Sequence, residues 1–509
     1  IARGTYYPTN DNDRNITFNI PPGVHIYGGF LGKEKKLEER DYALNITTLS
    51  GDIGTKNDRS DNSYSVLSIN DVSSPIHING LTVEEGLSDS PNQNESSLGK
   101  TKNGGGLFIT TEDVKDTSAI TIRNCVFFGN RAIRGGAIFT QAGKFQKLLL
   151  DNCTFIGNTA IAGGAIQVSD GQGRSTQEFT INHCTFRENF SDIGGGIYCE
   201  ALYQGIDIKI KNSLFEENRA ILGGGGRIDD FTNRGSIELS HCDFIKNEAI
   251  NTAGGFYVVI NRNEGNVIVN GCSFIENNCA FQVDDPSIEG VTGGLLIGSA
   301  ADSVSNTFIT NSKFINNTAR YNGALGLTKQ NLYMENCLFA NNKTEIAGGA
   351  IDLGNSANPI EVQIHNTTFY QNHADQVGGA IFSQKNSRRE QRQQIFIYNS
   401  IFEKNTAVKG SAVYSVASDF YFSHVSTDIN SCDSLACNFN CSEPPSCENV
   451  LFSANALFQD ALNNNFTLSP CSPAINAGNN DFVADLPTDL KDNPRIQDGR
   501  VDLGAYEAP

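Results

Sequence analysis

Hydrophobic and polar residues alternate with a period of two along short runs of this chain. Phe179 alternates with Ile181, and Cys184 alternates with Phe186 a few residues later. A period of two indicates β-strands, whereas a helical solenoid would show a 3.6-residue period. Such short runs must pair with equivalent runs in neighbouring turns. The sequence therefore predicts an all-β, right-handed parallel β-helix with about eleven or more coils of three short strands.

A Phe-x-x-Asn element recurs about every 31 residues, a period typical of solenoids. Its phenylalanines are Phe127, Phe155, Phe186, Phe215, Phe244, Phe274, Phe314, Phe339, Phe369 and Phe402. Its asparagines are Asn130, Asn158, Asn189, Asn218, Asn247, Asn277, Asn317, Asn342, Asn372 and Asn405. We predict that these residues form a structural ladder and have no catalytic role.

Each part of the repeat has a physical role in the predicted coil. Equivalent residues in successive coils lie about 4.8 Å apart, so the phenylalanines are expected to stack in the interior. The asparagine is expected at a corner, with left-handed backbone angles and an amide that bonds along the axis. We also expect an Asn218→Ala change to cost less stability than Phe215→Ala, because neighbouring rungs of the ladder persist.

The repeat divides the chain into three predicted regions. These are an N-terminal cap with the first coils (1–80), the repeat β-helix (81–415) and C-terminal coils with a cysteine-rich cap (416–509). Extra residues collect between the glycine-rich strand and the next strand, at 170–177, 280–290 and 383–394. Insertions at one corner place variable loops on one side, where binding faces usually lie.

Composition excludes several classes of partner. The net charge of −19 argues against nucleic acids and anionic membranes, which need a basic surface. No apolar run is long enough to span a membrane. The chain opens at Ile1 as though inside a strand, which we interpret as a processed chain or a fragment.

We expect no cofactor and no metal. His183 and His241 occupy equivalent places two coils apart, about 10 Å, which is too far to share a metal ion. Asp52, Asp58 and Asp61 are a weak candidate for a calcium loop, because their spacing does not match an EF-hand.

The cysteines form two groups. Six lie two residues before a motif phenylalanine, so they should face inward and stay reduced; these are Cys125, Cys153, Cys184, Cys242, Cys272 and Cys337. Five lie beyond the repeat and favour disulfides over zinc, because they lack close Cys-x2-Cys pairs; these are Cys432, Cys437, Cys441, Cys447 and Cys471. Disulfides would indicate an extracellular compartment. We expect this segment to lie over the final coils, with 468–477 and 501–506 closing the end.

The Phe-x-x-Asn element followed by Gly-Gly-Ala-Ile resembles the polymorphic outer-membrane protein repeat of bacterial surface proteins. The four Gly-Gly-Ala-Ile segments are 135–138, 163–166, 348–351 and 378–381. This resemblance implies a right-handed β-helix in a surface-displayed, often adhesive protein. The flanks, such as Val24-His-Ile-Tyr-Gly-Gly-Phe and Asp502-Leu-Gly-Ala-Tyr-Glu, resemble the terminal coils of secreted β-helix proteins.

β-Helices also include polysaccharide lyases and glycoside hydrolases, so a catalytic site deserves a test. Only Arg227-Ile-Asp-Asp230 echoes the segments of such enzymes, and we expect it to be a solvated turn because adjacent strand residues face opposite sides. An enzyme would need a groove lined by charged residues on consecutive coils.

These observations predict a non-enzymatic, secreted or cell-surface structural protein. It would display loops for adhesion, or assemble into an extracellular filament, sheath or coat. Expected partners are another copy of the chain, or a host or matrix glycan or protein. A carbohydrate-active β-helix enzyme is the alternative. Glycosylation sequons at Asn94 and Asn342 leave glycans possible.

Overall fold

The computed structural model describes most of the 509 residues. The residues outside the description are 71, 93–95, 97, 111–118, 143–146, 171–176, 203–205, 233–234, 261–265, 281–288, 300–303, 355–359, 385–392, 417, 428–446, 453, 484–485 and 509. The predicted cap cysteines Cys432, Cys437 and Cys441 lie outside the described residues.

The fold is all-β and is built from parallel strands, as the sequence predicted. Each regular coil contributes a leading strand, a short strand that carries the motif phenylalanine, and a third strand that follows the glycine pair. We call the corresponding sheets the leading face, the Phe face and the Gly face. The chain forms two compact units: residues 1–238, 242–250 and 254–261, and residues 239–241, 251–253 and 262–509.

The first unit contains strands on all three faces. The leading face comprises His25–Tyr27, Ile76–Asn79, Ala119–Arg123, Lys147–Asp151, Gln177–Asn182 and Ile206–Lys211. The Phe face comprises Gly4–Tyr6, Thr47–Ser50, Thr82–Glu84, Val126–Phe128, Thr154–Ile156, Thr185–Arg187, Leu214–Glu216 and Asp243–Ile245. The Gly face comprises Phe18–Asn19, Leu67–Ile69, Leu107–Ile109, Ile138–Ala142, Ile166–Asp170, Ile197–Ala201, Gly226–Asp230 and Phe256–Ile260.

Shorter elements complete the first unit. Its corner strands are Leu87–Ser88, Arg131–Ala132 and Arg219–Leu222. Its 3-10 helices are Leu37–Glu39 and Arg59–Asp61. The strands Ile237–Ser240 and Glu248–Thr252 contain residues of both units.

The second unit repeats the same three faces. Its leading face comprises Asn266–Asn270, Ser305–Thr310, Gln330–Glu335, Glu361–His365, Gln393–Glu403 and Ser418–Thr427, the last two of which continue into the Phe face. Its Phe face also comprises Ser273–Ile275, Lys313–Ile315, Leu338–Ala340, Thr368–Tyr370 and Leu451–Phe452. Its Gly face comprises Leu295–Ser299, Leu325–Thr328, Ile351–Gly354, Ile381–Gln384 and Val413–Val416.

The remaining elements of the second unit are short. Its corner strands are Asn278–Cys279, Thr318–Ala319, Lys343–Thr344 and His373–Ala374. Cys447–Glu448 pairs with the leading face, and Phe458–Asp460 forms an antiparallel pair with Asn465–Leu468. Its 3-10 helices are Ala461–Asn463 and Asn480–Phe482.

Left-handed backbone angles occur beside the motif asparagines rather than at them. None of the ten motif asparagines has a positive φ, so the conformation expected for them is wrong. The residue just before the asparagine takes it instead, as Gly157 does before Asn158. A second such position precedes the small inward residue, as at Asn152 before Cys153. The motif asparagine is therefore selected for its amide and not for its backbone freedom.

The C-terminal segment lies against the outer side of the second unit's Phe face. Phe466, Ala505 and Tyr506 share an apolar cluster with residues of successive coils, namely Ile315, Leu338, Ala340 and Tyr370. The backbone N–H of Ala505 donates to Oγ1 of Thr368 at 3.0 Å. The segment 501–506 therefore covers the side of several coils, which corrects the expectation that it closes the end.

Candidate functional site

The motif phenylalanines form an interior stack in each unit. Ring centroids lie 4.6 to 5.2 Å apart from Phe127 to Phe244. In the second unit they lie 4.6 to 5.3 Å apart from Phe274 to Phe402. All ten side chains are fully buried. They build the core and are closed to ligands.

The motif asparagines form a ladder in which the amide groups are fully used. Nδ2 of Asn158 donates to the carbonyl oxygen of Phe127 and to Oδ1 of Asn189, both at 3.0 Å. Its Oδ1 accepts from the backbone N–H and from Nδ2 of Asn130, both at 3.1 Å. An amide has two donor hydrogens and two acceptor positions, so nothing remains to bind a ligand.

The same geometry removes one candidate glycosylation site. Asn342 is fully buried, and its Nδ2 donates to the carbonyl oxygen of Phe314 and to Oδ1 of Asn372, both at 2.9 Å. The expectation that Asn342 could carry a glycan is therefore wrong for the folded chain. Asn94 lies outside the described residues.

The cysteines of the coils are buried, free thiols. The six are Cys125, Cys153, Cys184, Cys242, Cys272 and Cys337, and Cys199 and Cys279 share the same state. Burial raises the pKa of the Cys337 thiol to about 12, so it stays protonated. Cys471 is exposed and is bonded to no described cysteine, and its predicted disulfide stays a prediction because three of the candidate partners lie outside the described residues. Cys447 lies in a short strand, and its pairing stays a prediction.

The acidic loop considered for calcium has its carboxylates turned inward to its own backbone. Asp52 accepts from the N–H of Asn57 at 2.9 Å, and Asp58 accepts from the N–H of Ser60 at 3.0 Å. Asp61 accepts from the N–H of Thr55 at 2.7 Å. Across the described residues, no group of three or more His, Cys, Asp or Glu side chains is arranged to hold a metal.

Arg227 and Asp229 belong to a buried network on the outer side of the first unit's Gly face. Nε of Arg227 lies 2.7 Å from Oδ1 of Asp229, and the Arg227 guanidinium lies 4.8 Å from the ring centre of Tyr257. The Tyr198 hydroxyl donates to Oδ2 of Asp229 at 3.0 Å and lies 3.3 Å from Oε1 of Glu200. Burial, followed by the charges of these two carboxylates, raises the pKa of Tyr198 well above its usual value.

This arrangement corrects the expectation of a solvated turn. Asp229 and Asp230 lie in the strand Gly226–Asp230 and are only 3% and 1% exposed. Asp230 accepts from the backbone N–H and hydroxyl of Thr232, apart from the Asp229 pair. The two carboxylates therefore do not act together, and Asp229 is held by Arg227 as a structural ion pair.

A cleft of about 380 Å³ opens on the outer side of the first unit's N-terminal coils. It is lined by Thr5, Tyr7, Ser50, Asp52, Lys56, Asn57, Arg59, Glu84 and Glu85. Ser50 and Glu84 are register partners on successive strands of the Phe face, and both project outward at this position. The 3-10 helix Arg59–Asp61 and the acidic loop form its other wall. This is a groove lined by charged residues on consecutive coils.

Glu84 is the electrostatically distinct group in this cleft. Burial, followed by the charges of Glu85 and Asp52, raises the pKa of its carboxyl. Glu85 forms an ion pair with Arg59, whose Nη2 lies 2.8 Å from Oε1. Carboxyls with raised pKa values in clefts are typical of general acids. Sequence analysis missed Glu84, because no pattern in the chain distinguishes it from other surface acids.

The comparisons with known proteins agree with the fold. Residues 95–244 match the family described as the right handed beta helix region, which confirms the predicted fold class and its handedness. Residues 366–384 match the Chlamydia polymorphic membrane protein repeat, which confirms the predicted resemblance. No curated protein sequence matches the chain.

One solved structure similar to this chain is titled "Crystal structure of pectate lyase Pel9A". The two are 14% identical, with a TM-score of 0.40, over 86% of this chain and 98% of that chain. A likeness at this level carries no information on activity. Among the described residues, no helix has the length and apolar character needed to cross a membrane.

Proposed function

We propose that this chain is a secreted or cell-surface β-helix protein whose role is structural and adhesive. The observation that carries the proposal is that the repeated Phe and Asn side chains are buried and bond only within the β-helix. The phenylalanine stack and the closed asparagine ladder leave the repeat no free chemistry. The repeat at 366–384 is similar to that of a bacterial surface protein, which supports the location.

The variable positions of the scaffold are the natural display sites. The insertions at 171–176 and 385–392 follow the Gly-face strands Ile166–Asp170 and Ile381–Gln384. Loops that follow a rigid strand can vary without affecting the core. Adhesion through these insertions therefore agrees with a core whose Phe and Asn residues repeat from coil to coil and with insertions whose lengths differ between coils.

The experiment compares the chain with two variants in which 171–176 or 385–392 is replaced by a Gly-Ser linker of equal length. Beads coated with each protein are applied to cultured cell monolayers and counted after washing. We expect the unaltered chain to retain beads and at least one variant to lose retention. A variant in which the exposed residues 35–39 are replaced by a linker of equal length is the control. Retention no better than albumin-coated beads would contradict adhesion.

The N-terminal cleft favours a second candidate function, a carbohydrate-active enzyme that hydrolyses glycosidic bonds. The raised pKa of Glu84 would let it donate its proton to the glycosidic oxygen, while Asp52 removes a proton from the attacking water. The products are two shorter sugars, and the protonation states are restored by exchange with water.

This second function is tested by measuring reducing ends released from neutral and acidic polysaccharides. If the cleft is catalytic, Glu84→Gln should lower the rate by about 100-fold or more, as loss of a general acid does. Glu38→Gln, an exposed change elsewhere in the first unit, should leave the rate unchanged. Absence of released sugar from the unaltered chain would eliminate the candidate.

A further inference from the structure

An open cavity of about 260 Å³ lies in the second unit, between the coils and residues 488–492 of the C-terminal segment. On the coil side its floor is formed by Gly271 and Ser273, two small residues of one coil. Lys313, the register partner of Ser273, lines it from the next coil, and His241 lines it from the coil before. We call this space the C-terminal cavity.

Gly271 creates part of this space because it interrupts a column of asparagines. The equivalent position on the following coils, always with a positive φ, is held by Asn311, Asn336, Asn366 and Asn399. Gly271 has φ of +65°, so its backbone would also accept an asparagine. A Cβ on Gly271 would lie 3.0 Å from Cδ2 and 3.1 Å from Nε2 of His241. The missing side chain therefore leaves the Nε2 edge of the His241 ring beside open space.

The coil side of the cavity supplies hydrogen-bond donors and one positive charge. Lys313 is partly buried, and its ammonium has no ion pair or hydrogen bond within the part of the chain that the structure describes. Oδ1 of Asn270 accepts from Oγ1 of Thr310 and from Nδ2 of Asn311, both at 2.9 Å. Its Nδ2 is left available at the cavity wall, as is the hydroxyl of Ser273.

The opposite wall is held rigidly by Asp489 and carries one available carboxylate. Oδ1 of Asp489 accepts from the N–H groups of Lys491 and Asn493 at 2.8 Å. Its Oδ2 accepts from the N–H of Glu507 at 2.9 Å and from Nδ2 of Asn493 at 3.0 Å. These four bonds use the acceptor positions of Asp489. Asp492 is exposed, and its carboxylate has no partner among the described residues, so it can accept from a ligand.

We propose that the C-terminal cavity binds one sugar residue that carries a carboxylate, at the end of a glycan. Pockets for drug-sized ligands measure roughly 300 to 1,000 Å³, so this smaller cavity is suited to a single ring. The sugar carboxylate pairs with the ammonium of Lys313 in a charge-assisted hydrogen bond. The ring hydroxyls bond to Nδ2 of Asn270, to the Ser273 hydroxyl and to the carboxylate of Asp492.

The charges of the cavity favour a carboxylate over a phosphate. Lys313 is the single lysine or arginine among the described residues that line it, so it matches one negative charge. A phosphate would bring more charge than Lys313 can balance, close to Asp492. The inference goes beyond adhesion through the insertions, because it concerns a different surface and names a ligand class.

The unaltered chain is titrated by calorimetry with methyl glucuronide and with N-acetylneuraminate. Methyl glucoside and the methyl esters of both acids are the uncharged counterparts. We expect at least one acid to bind, and its uncharged counterparts to bind about 10-fold more weakly or less, because they cannot pair with Lys313. Equal binding of an acid and its ester, or no binding of either acid, would overturn the proposal.

Variants then locate the binding. Lys313→Met should remove the preference for the acid over its ester, and Lys313→Arg should retain it. Lys343→Met is the matched control, because Lys343 is an exposed lysine of the second unit outside the cavity. Gly271→Asn restores the asparagine of the column and should abolish binding by filling the space.

Thermal unfolding checks that each variant is folded, and the two methionine variants decide the outcome if Gly271→Asn is not. Preference for the acid that survives in Lys313→Met, or that is lost equally in Lys343→Met, would show that the sugar does not bind in the C-terminal cavity.

Discussion

Nδ2 of Asn218 donates to Oδ1 of Asn247 on the next coil at 3.0 Å, inside a fully buried column. Asn218 also donates to the carbonyl oxygen of Phe186 at 2.9 Å. Its Oδ1 accepts from the N–H and Nδ2 of Asn189, at 3.1 and 2.9 Å. The amide therefore joins three coils, and its removal would break four buried hydrogen bonds, although Oδ1 of Asn247 and Nδ2 of Asn189 would each keep one other partner.

The first prediction is that Asn218→Ala costs at least as much stability as Phe215→Ala. The phenylalanine change leaves a cavity and should cost about 3 to 5 kcal/mol. The asparagine change breaks four buried hydrogen bonds, and the N–H of Asn189 and the carbonyl oxygen of Phe186 each lose the bond to the amide, at a cost of about 1 to 3 kcal/mol for each group. This reverses the order expected from the sequence. Denaturant unfolding of both variants measures the two free energies of unfolding.

An exposed hydrophobic change, Ile161→Ala, serves as the control, because Ile161 is 54% exposed. It should alter the free energy of unfolding by less than about 0.5 kcal/mol. A clearly smaller cost for Asn218→Ala than for Phe215→Ala would mean that water or neighbouring rungs replace the lost bonds.

The second prediction concerns the glycine pair at the corner. A Cβ on Gly195 would lie 2.1 Å from the carbonyl oxygen of Gly224 on the next coil. Gly195→Ala therefore forces two coils apart and should prevent folding or lower the melting temperature strongly. Gly157 has φ of +62° but open space around it, so Gly157→Ala should cost only about 1 kcal/mol of backbone strain. Equal melting temperatures for the two variants would contradict close coil contact.

The interior could be predicted from the sequence because its residues repeat. Phe215 and Asn218 recur at one period, and parallel pairing of equal residues turns that period directly into a stack. The outer surface does not follow from the period. Tyr370 looks like any outward strand residue, and its burial depends on Phe466 and Tyr506, which are about a hundred residues later. The raised pKa of Glu84 likewise comes first from burial in the folded chain and then from the charges of Glu85 and Asp52, and the sequence pattern shows neither its burial nor the approach of Asp52.

The third prediction concerns thiol reactivity. Iodoacetamide applied to the native chain should label Cys471, which is exposed, and leave Cys153 and Cys337 unlabelled. Burial raises the pKa of the Cys153 and Cys337 thiols, so little of their reactive thiolate is present near neutral pH. Peptide mapping under non-reducing conditions measures the labelling and also tests the predicted disulfides beyond the repeat. Rapid labelling of Cys153, or a bridge between it and Cys125, would contradict the buried reduced column.

The fourth prediction concerns Asp352 on the second unit's Gly face. Its side chain is 8% exposed, and within the described part of the chain its Oδ1 has no hydrogen-bond partner. Burial raises the pKa of its carboxyl from 3.8 to about 7. The folded state therefore holds this proton more tightly than the unfolded state, and stability should fall as the pH rises from about 4 to about 7.

Asp352→Asn removes this titration while keeping the shape of the side chain. At pH 8 the variant should be more stable than the unaltered chain, by on the order of 2 to 4 kcal/mol. At pH 4 the two should be nearly equal, because Asp352 is then neutral in the folded chain. Burial raises the pKa of Glu507 to about 8, so only the difference between the two proteins isolates Asp352. Denaturant unfolding at both pH values measures it, and a variant less stable at pH 8 would mean that the carboxylate is charged and stabilised in the folded state.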